Sequence, residues 1–168
     1  MGQLTRKWDH LLRVFYESPQ KVFTVREISK RARLPKSSVQ KYLQVLQKEG
    51  LITKDHRTVP SLLFKIKKTN YYLEQLVHSG LVDYLVTTLN PSCIILFGSI
   101  RKGDSVAESD IDLFIETSVT KELTLVPFEK KLGHPIQLHL QQAIQDLPPL
   151  LFNNVINGIK LYGSFKLK

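Results

Sequence analysis

Two aspartates one residue apart, Asp110 and Asp112, stand in the stretch IILFGSIRKGDSVAESDIDLFIE, where an apolar strand would ordinarily carry Val or Leu. Alternate side chains of a strand share a face, so the pattern directs both carboxylates to one side while Ile111, Leu113 and Ile115 face a core. Like charges held side by side repel, and the arrangement is costly unless a divalent cation or a shared proton compensates it. Magnesium suits the pair, because it takes one or two carboxylates and completes its octahedron with water and substrate phosphates. Upstream, Gly98 and Ser99 directly follow an apolar strand. A residue without Cβ lets the backbone approach an anion there, and amide donors can converge on phosphate. Arg101 and Lys102 add positive charge close by.

The elements around these residues are legible from pattern. The run IILF reads as an apolar strand, SDIDLFIE as a second, and HPIQLHLQ as a later strand with Gln137 and His139 on one face. NYYLEQLVHSGLVDYLVTTLNPSC reads as one helix leading to the first strand, and LPPLLFNNVINGIKLYGSF as a closing helix and strand.

GSIRKG followed by SDIDLFIE resembles the signature of the DNA polymerase beta superfamily, in particular its minimal nucleotidyltransferases, and the likeness extends over about residues 71–168. The resemblance implies that Gly98, Ser99, Arg101, Lys102 and Ser109 hold a nucleoside triphosphate, and that Asp110 and Asp112 are catalytic and carry magnesium. It also implies a third carboxylate on a later strand, and HPIQLHLQ has none. Gln137 or His139 stands in that place. Neutral His139, with an ordinary pKa near 6.5, would serve as a base, which makes it the third catalytic candidate. Glu116 or Glu129 would have to substitute in space. A metal site of His134 and His139 is weaker than its plain alternative, a surface turn and strand.

Charge divides the chain at the same point. Residues 1–70 hold 16 Lys and Arg against 5 Asp and Glu, whereas residues 71–168 hold 8 against 10. The net +9 and the pI near 9.7 therefore belong to the first half. A solvated lysine-rich surface would read the same way, but the asymmetry favours a nucleic-acid-binding module joined to something chemically different.

In that half Trp8, Leu11, Leu12 and Phe15 line one helix face up to Pro19. Thr24 with Glu27 is a capping box that opens a second helix carrying Ile28 and Ala32 inward. A short turn at RLPKSS leads to a third helix, with Val39, Leu43 and Leu46 inward and Gly50 as its stop. The segment TVREISKRARLPKSSVQKYLQVLQKEGLI resembles the helix-turn-helix of winged-helix transcription regulators, with the match covering roughly residues 5–70. The resemblance implies a hairpin wing, for which LITKD, HRTVPS and LLFKIKKT supply strand, turn and strand. The outward residues Lys36, Ser37, Ser38, Gln40, Lys41 and Gln44 suit phosphates and base edges in a major groove. In the wing, Lys54, His56, Arg57 and Lys65 would reach adjacent backbone or minor groove. A winged helix turned to protein contact is the alternative, and it gives no reason for so much positive charge.

The lone Cys93 lies among Ile94, Ile95 and Leu96 and reads as a small buried hydrophobe in a reduced, cytoplasmic protein. The first 20 residues alternate charge with apolar side chains and hold no continuous hydrophobic run, so neither a signal peptide nor a membrane span is expected there, and Arg6 stands where a myristoylation pattern needs Ser or Thr. The expectation is an α+β chain: a winged helix-turn-helix over 1–70, then a small nucleotidyltransferase-fold domain over 71–168 with a mixed sheet flanked by helices. Its function is that of a DNA-binding transcriptional regulator whose second domain binds a triphosphate with magnesium, transfer being weakened or lost. The alternative is active transfer of a nucleoside monophosphate to a protein, nucleic acid or small-molecule hydroxyl. The partners expected are double-stranded DNA, the triphosphate, a protein acceptor and a second copy of the chain, since such regulators read two half-sites as dimers.

Overall fold

A computed structural model describes residues 3–167, with side chains from Lys7 onward. The chain divides into two compact units, Met1–Lys68 with Ser105–Ala107, and Thr69–Asp104 with Glu108–Lys168. No helix among the described residues is long and apolar enough to cross a membrane.

The first unit is built on α1 (Gln3–Glu17), α2 (Val25–Ala32) and α3 (Lys36–Lys48). Its core takes Leu11, Val14 and Phe15 from α1, Ile28 and Ala32 from α2, and Val39, Leu43 and Leu46 from α3, all buried. Each of these side chains larger than Ala contributes roughly 1.5–3 kcal/mol when fully withdrawn from water, and the positions recur at helical spacing because only that spacing puts them on one face. Phe15 and Phe23 meet edge to face with centroids 5.6 Å apart. The capping box is present: Thr24 Oγ1 accepts from the Glu27 amide at 3.2 Å, and the Thr24 amide donates to Glu27 Oε2 at 2.9 Å. Between α2 and α3 the chain reverses through Arg33 in the left-handed region, and the Ser29 hydroxyl donates to Leu34 O at 2.6 Å, which pins the turn.

The wing differs from the sequence expectation. Its hairpin is short, with one bridge between Ile52 and Thr58 closed by the Thr53 amide donating to Arg57 O at 2.8 Å. The expected second strand, LLFKIKKT, is the start of α4 (Leu62–Ser79). Pro60 and Ser61 explain this. The Ser61 hydroxyl accepts from the Phe64 amide at 3.2 Å, an N-cap that commits the following residues to helix, and Phe64 and Lys68 then turn inward one helical turn apart. Lys65 is therefore a helix residue and not part of the wing.

The second unit contains the rest of α4, α5 (Leu81–Leu89), β1 (Cys93–Phe97), α6 (Gly98–Lys102), β2 (Ile111–Glu116), α7 (Val126–Leu132), β3 (Ile136–Gln141), a 3-10 turn (Ile144–Asp146), α8 (Pro149–Ile156) and β4 (Ile159–Gly163). The single helix expected before the first strand is two. Gly80, at φ 82°, breaks it, while the Ser79 hydroxyl donates back to Leu76 O at 2.7 Å and accepts from the Leu81 amide at 3.1 Å. The sheet has the order β3-β2-β1-β4, with β1 antiparallel to both β2 and β4, and β2 parallel to β3. β1 and β2 are its central strands and are buried on both faces, which is why they read as near-continuous apolar runs. On the face carrying Asp112, Cys93, Ile95, Phe97 and Phe114 form a core with Ile144, Leu147 and Val155.

Candidate functional site

At the end of β1 the chain must turn sharply into α6, and Gly98 does so at φ +73°. A Cβ there would lie 1.9 Å from Asp112 Oδ2 and 2.7 Å from Asp112 Cγ, so the carboxylate rests against a backbone that only glycine leaves bare. Phe97 is the register partner of Asp112 across β1 and β2, which sets that approach. Asp112 lies on β2, one step inside its start, and Asp110 sits just outside the strand, exposed. This corrects the expectation of two aspartates within one strand. Burial pushes the Asp112 carboxyl above its ordinary value and the Asp110 charge adds to this, while His139 acts against both. Two hard oxygen donors, one half-buried and disfavoured as a bare anion, fit a cation that keeps its remaining positions for water and phosphate.

The surroundings are braced from a distance. Thr69 Oγ1 donates to the carbonyls of Ile100 and Arg101, each at 3.2 Å, and fixes the end of α6, where Arg101 is half-buried and Lys102 exposed. His134 is buried, and its Nδ1 donates to Ser109 O at 2.7 Å. A carbonyl only accepts, so the ring proton is on Nδ1 and Nε2 is left for the Tyr72 hydroxyl, 3.1 Å away. His134 thus steadies the residue before Asp110 and is no partner of His139 in a metal site. Sequence reasoning missed Thr69 and Tyr72, and no local signal marks either, since their partners lie tens of residues away.

On β3, Gln137 is the register partner of Asp112 and is exposed, whereas His139 pairs with Phe114 one pleat further on. The His139 ring meets that of Phe97 edge to face at 5.3 Å. Neither glutamate proposed as a substitute acid is available. Glu116 accepts from the Ser92 hydroxyl at 2.5 Å and from the Ile144 amide at 2.8 Å. Glu129 Oε1 accepts from the Ile136 amide at 3.0 Å. Among the described residues no group of three or more His, Cys, Asp or Glu is placed to hold a metal.

In the first unit Lys36, Ser37, Gln40, Lys41 and Gln44 are exposed along one side of α3, opposite its buried Val39, Leu43 and Leu46, and Ser38 is half-buried beside them. Lys54 and Arg57 are exposed at the hairpin tip. His56, φ 60°, is different: its Nδ1 lies 3.0 Å from Phe23 O, which makes it a fastening between the hairpin and the segment before α2. It also lines a shallow pocket with Gln40 and Gln44.

These arrangements define a nucleotidyltransferase fold joined to a helix-turn-helix. The chain belongs to the Polymerase beta, Nucleotidyltransferase family, whose model matches residues 80–166, and residues 10–56 match the IclR helix-turn-helix domain. No curated protein and no solved structure matches the chain.

Proposed function

We propose that this protein is a DNA-binding transcriptional regulator in which paired chains read two half-sites, and whose nucleotidyltransferase domain binds a nucleoside triphosphate with magnesium but transfers from it slowly or not at all. The observation that carries the second part is Gln137 in register with Asp112, with Glu116 and Glu129 both engaged elsewhere. An amide is neither an anionic metal ligand nor a base.

In this reading Asp110 and Asp112 hold magnesium, which when bound neutralises and orients the phosphates. Gly98 keeps the backbone close, Ser99 and Ser109 offer polar groups, and Arg101 and Lys102 supply positive charge where the triphosphate enters. Half-buried Asp112 favours occupancy by a cation because burial and the Asp110 charge outweigh the influence of His139 on its carboxyl. What this chain lacks is a group to take the proton from an attacking hydroxyl. On the DNA side, Lys36, Lys41, Lys54 and Arg57 neutralise phosphates while Ser37, Ser38, Gln40 and Gln44 face base edges.

A second reading rests on His139, whose charge acts on Asp112. If His139 is the base, the unmodified protein is an active transferase, with a protein, nucleic acid or small molecule as acceptor. Labelled-triphosphate binding and transfer, measured on the wild type, Gln137→Asp and His139→Ala, separate the two. The first reading expects magnesium-dependent binding in all three proteins and transfer raised in Gln137→Asp alone. Brisk wild-type transfer that disappears in His139→Ala would establish the second.

A further inference from the structure

We infer that the outward face of α4 is a self-association surface, closed by the same face of a second copy of this chain lying antiparallel to it. The helix buries Phe64, Lys68, Tyr71, Tyr72 and Leu76 on one side. On the other, Leu62 is 74 % exposed, Leu63 47 %, Ile66 48 % and Val77 62 %, with Asn70 exposed and Leu73 half-buried among them. At 3.6 residues per turn these six fall within an arc of about 100°, so they form one stripe and not scattered contacts with water. From Leu63 the spacing to Ile66, Asn70, Leu73 and Val77 alternates three and four, the repeat of a helix seam. Single exposed apolar residues are ordinary, but an apolar stripe interrupted only by Asn70 marks an interaction site.

Charge selects the occupant. Lys67 and Glu74 lie on the same flank of the stripe, two turns apart. An antiparallel copy sets each Lys67 opposite the partner's Glu74, twice about the two-fold axis. A parallel copy sets them beside Leu62 and Thr69, leaving Lys67 only its own chain's Glu49 and giving Glu74 no cation across the seam. In the antiparallel pair Leu63 lies against the partner's Val77 and Ile66 against the partner's Leu73. Asn70, both donor and acceptor, falls beside the axis within reach of its own copy. Lys67 also meets Glu49 of its own chain at 3.1 Å, an exposed pair that leaves ammonium donors for a second carboxylate. The seam spans roughly 22 Å, at the small end of specific interfaces, so the association is reversible and depends on concentration. This deepens the pairing of chains proposed above and rests on neither DNA nor nucleotide binding.

Sedimentation equilibrium of the full chain, without DNA or nucleotide, tests it. The wild type should show a monomer–dimer equilibrium, and Ile66→Glu with Val77→Glu should weaken it at least tenfold while circular dichroism stays unchanged. Lys67→Glu and Glu74→Lys should each weaken association severalfold. Mixing these two single variants should restore it, because each supplies the charges the other needs, an effect that no role within one chain produces. A double variant on the stripe that stays dimeric would overturn the surface while leaving the pairing of chains intact. A wild type monomeric at every concentration would remove both. Failure of the mixed variants to associate would overturn the antiparallel register.

Discussion

The carboxylate of Asp112 lies where a side chain on Gly98 would have to be, with Oδ2 1.9 Å from the position of an added Cβ. Because the clash involves Cγ as well as the terminal oxygen, Asp112 must swing away if anything larger than glycine stands at 98. The positive φ of Gly98 adds about 1–2 kcal/mol for any residue with a Cβ. Gly98→Ala should therefore melt earlier and bind magnesium-triphosphate poorly. Adding Asp112→Ala should return part of the stability and none of the binding. A double variant no more stable than Gly98→Ala would show that the contact is unimportant to the fold.

The two aspartates make a separate prediction about stability without metal. Burial, and then Asp110, raise the Asp112 carboxyl above its ordinary value of 3.8. A raised carboxyl favours the folded state below the unfolded pKa, and that contribution is lost as pH rises through the folded value. At neutral pH in chelator the pair is thus a burden. Asp110→Asn with Asp112→Asn should leave the melting temperature there unchanged or higher, yet abolish the stabilisation that magnesium and a nonhydrolysable triphosphate give the wild type. A marked loss of metal-free stability would instead assign the pair a structural role.

DNA affinity should follow the exposed cations of α3. Each phosphate contact removed should lower the slope of log affinity against log salt by about one. Lys36→Ala and Lys41→Ala should each do so in fluorescence titrations of full-length protein with duplex DNA. Lys121→Ala, in the second unit, should leave both affinity and slope unchanged. Equal effects from all three would indicate diffuse attraction to a basic protein and not a docked helix.

The capping box carries a pH signature. Lys21, whose ammonium donates to Glu27 Oε1 at 2.8 Å, and then the Thr24 amide and hydroxyl, hold the Glu27 carboxyl down at about 2. A depressed carboxyl stabilises the fold above the unfolded pKa and loses that contribution as pH falls through the folded value, here from about 4.5 to about 2. Glu27→Gln should lower the melting temperature near neutrality and converge with the wild type near the bottom of that window. Thr24→Ala should cost about 1 kcal/mol near neutrality. A Glu27→Gln difference that persists undiminished at low pH would show that charge is not what the box contributes.

What the sequence determined by itself is what neighbouring residues encode. The capping box, the inward faces of α2 and α3, the existence of a strand before Gly98 and of another carrying Asp112, and the Gly-Ser turn all depend on residues a few positions apart, whose spacing is the periodicity of the element they form. The candidate residues 98 to 112 were legible for the same reason. Only tertiary structure decided the rest. LLFKIKKT has the composition of a wing strand, and although the Ser61 cap is a local signal for helix, it was packing that drew Phe64 and Lys68 inward and so aligned the apolar stripe of α4. The register that places Gln137 beside Asp112 comes from β2 pairing with a strand more than twenty residues later. Glu116, Glu129 and His134 looked free for chemistry and are instead held by the amide of Ile144, the amide of Ile136 and the carbonyl of Ser109. Such partners are chosen by the folded chain, because a buried polar group must find a hydrogen bond wherever packing brings one, and no spacing in the sequence records where that will be.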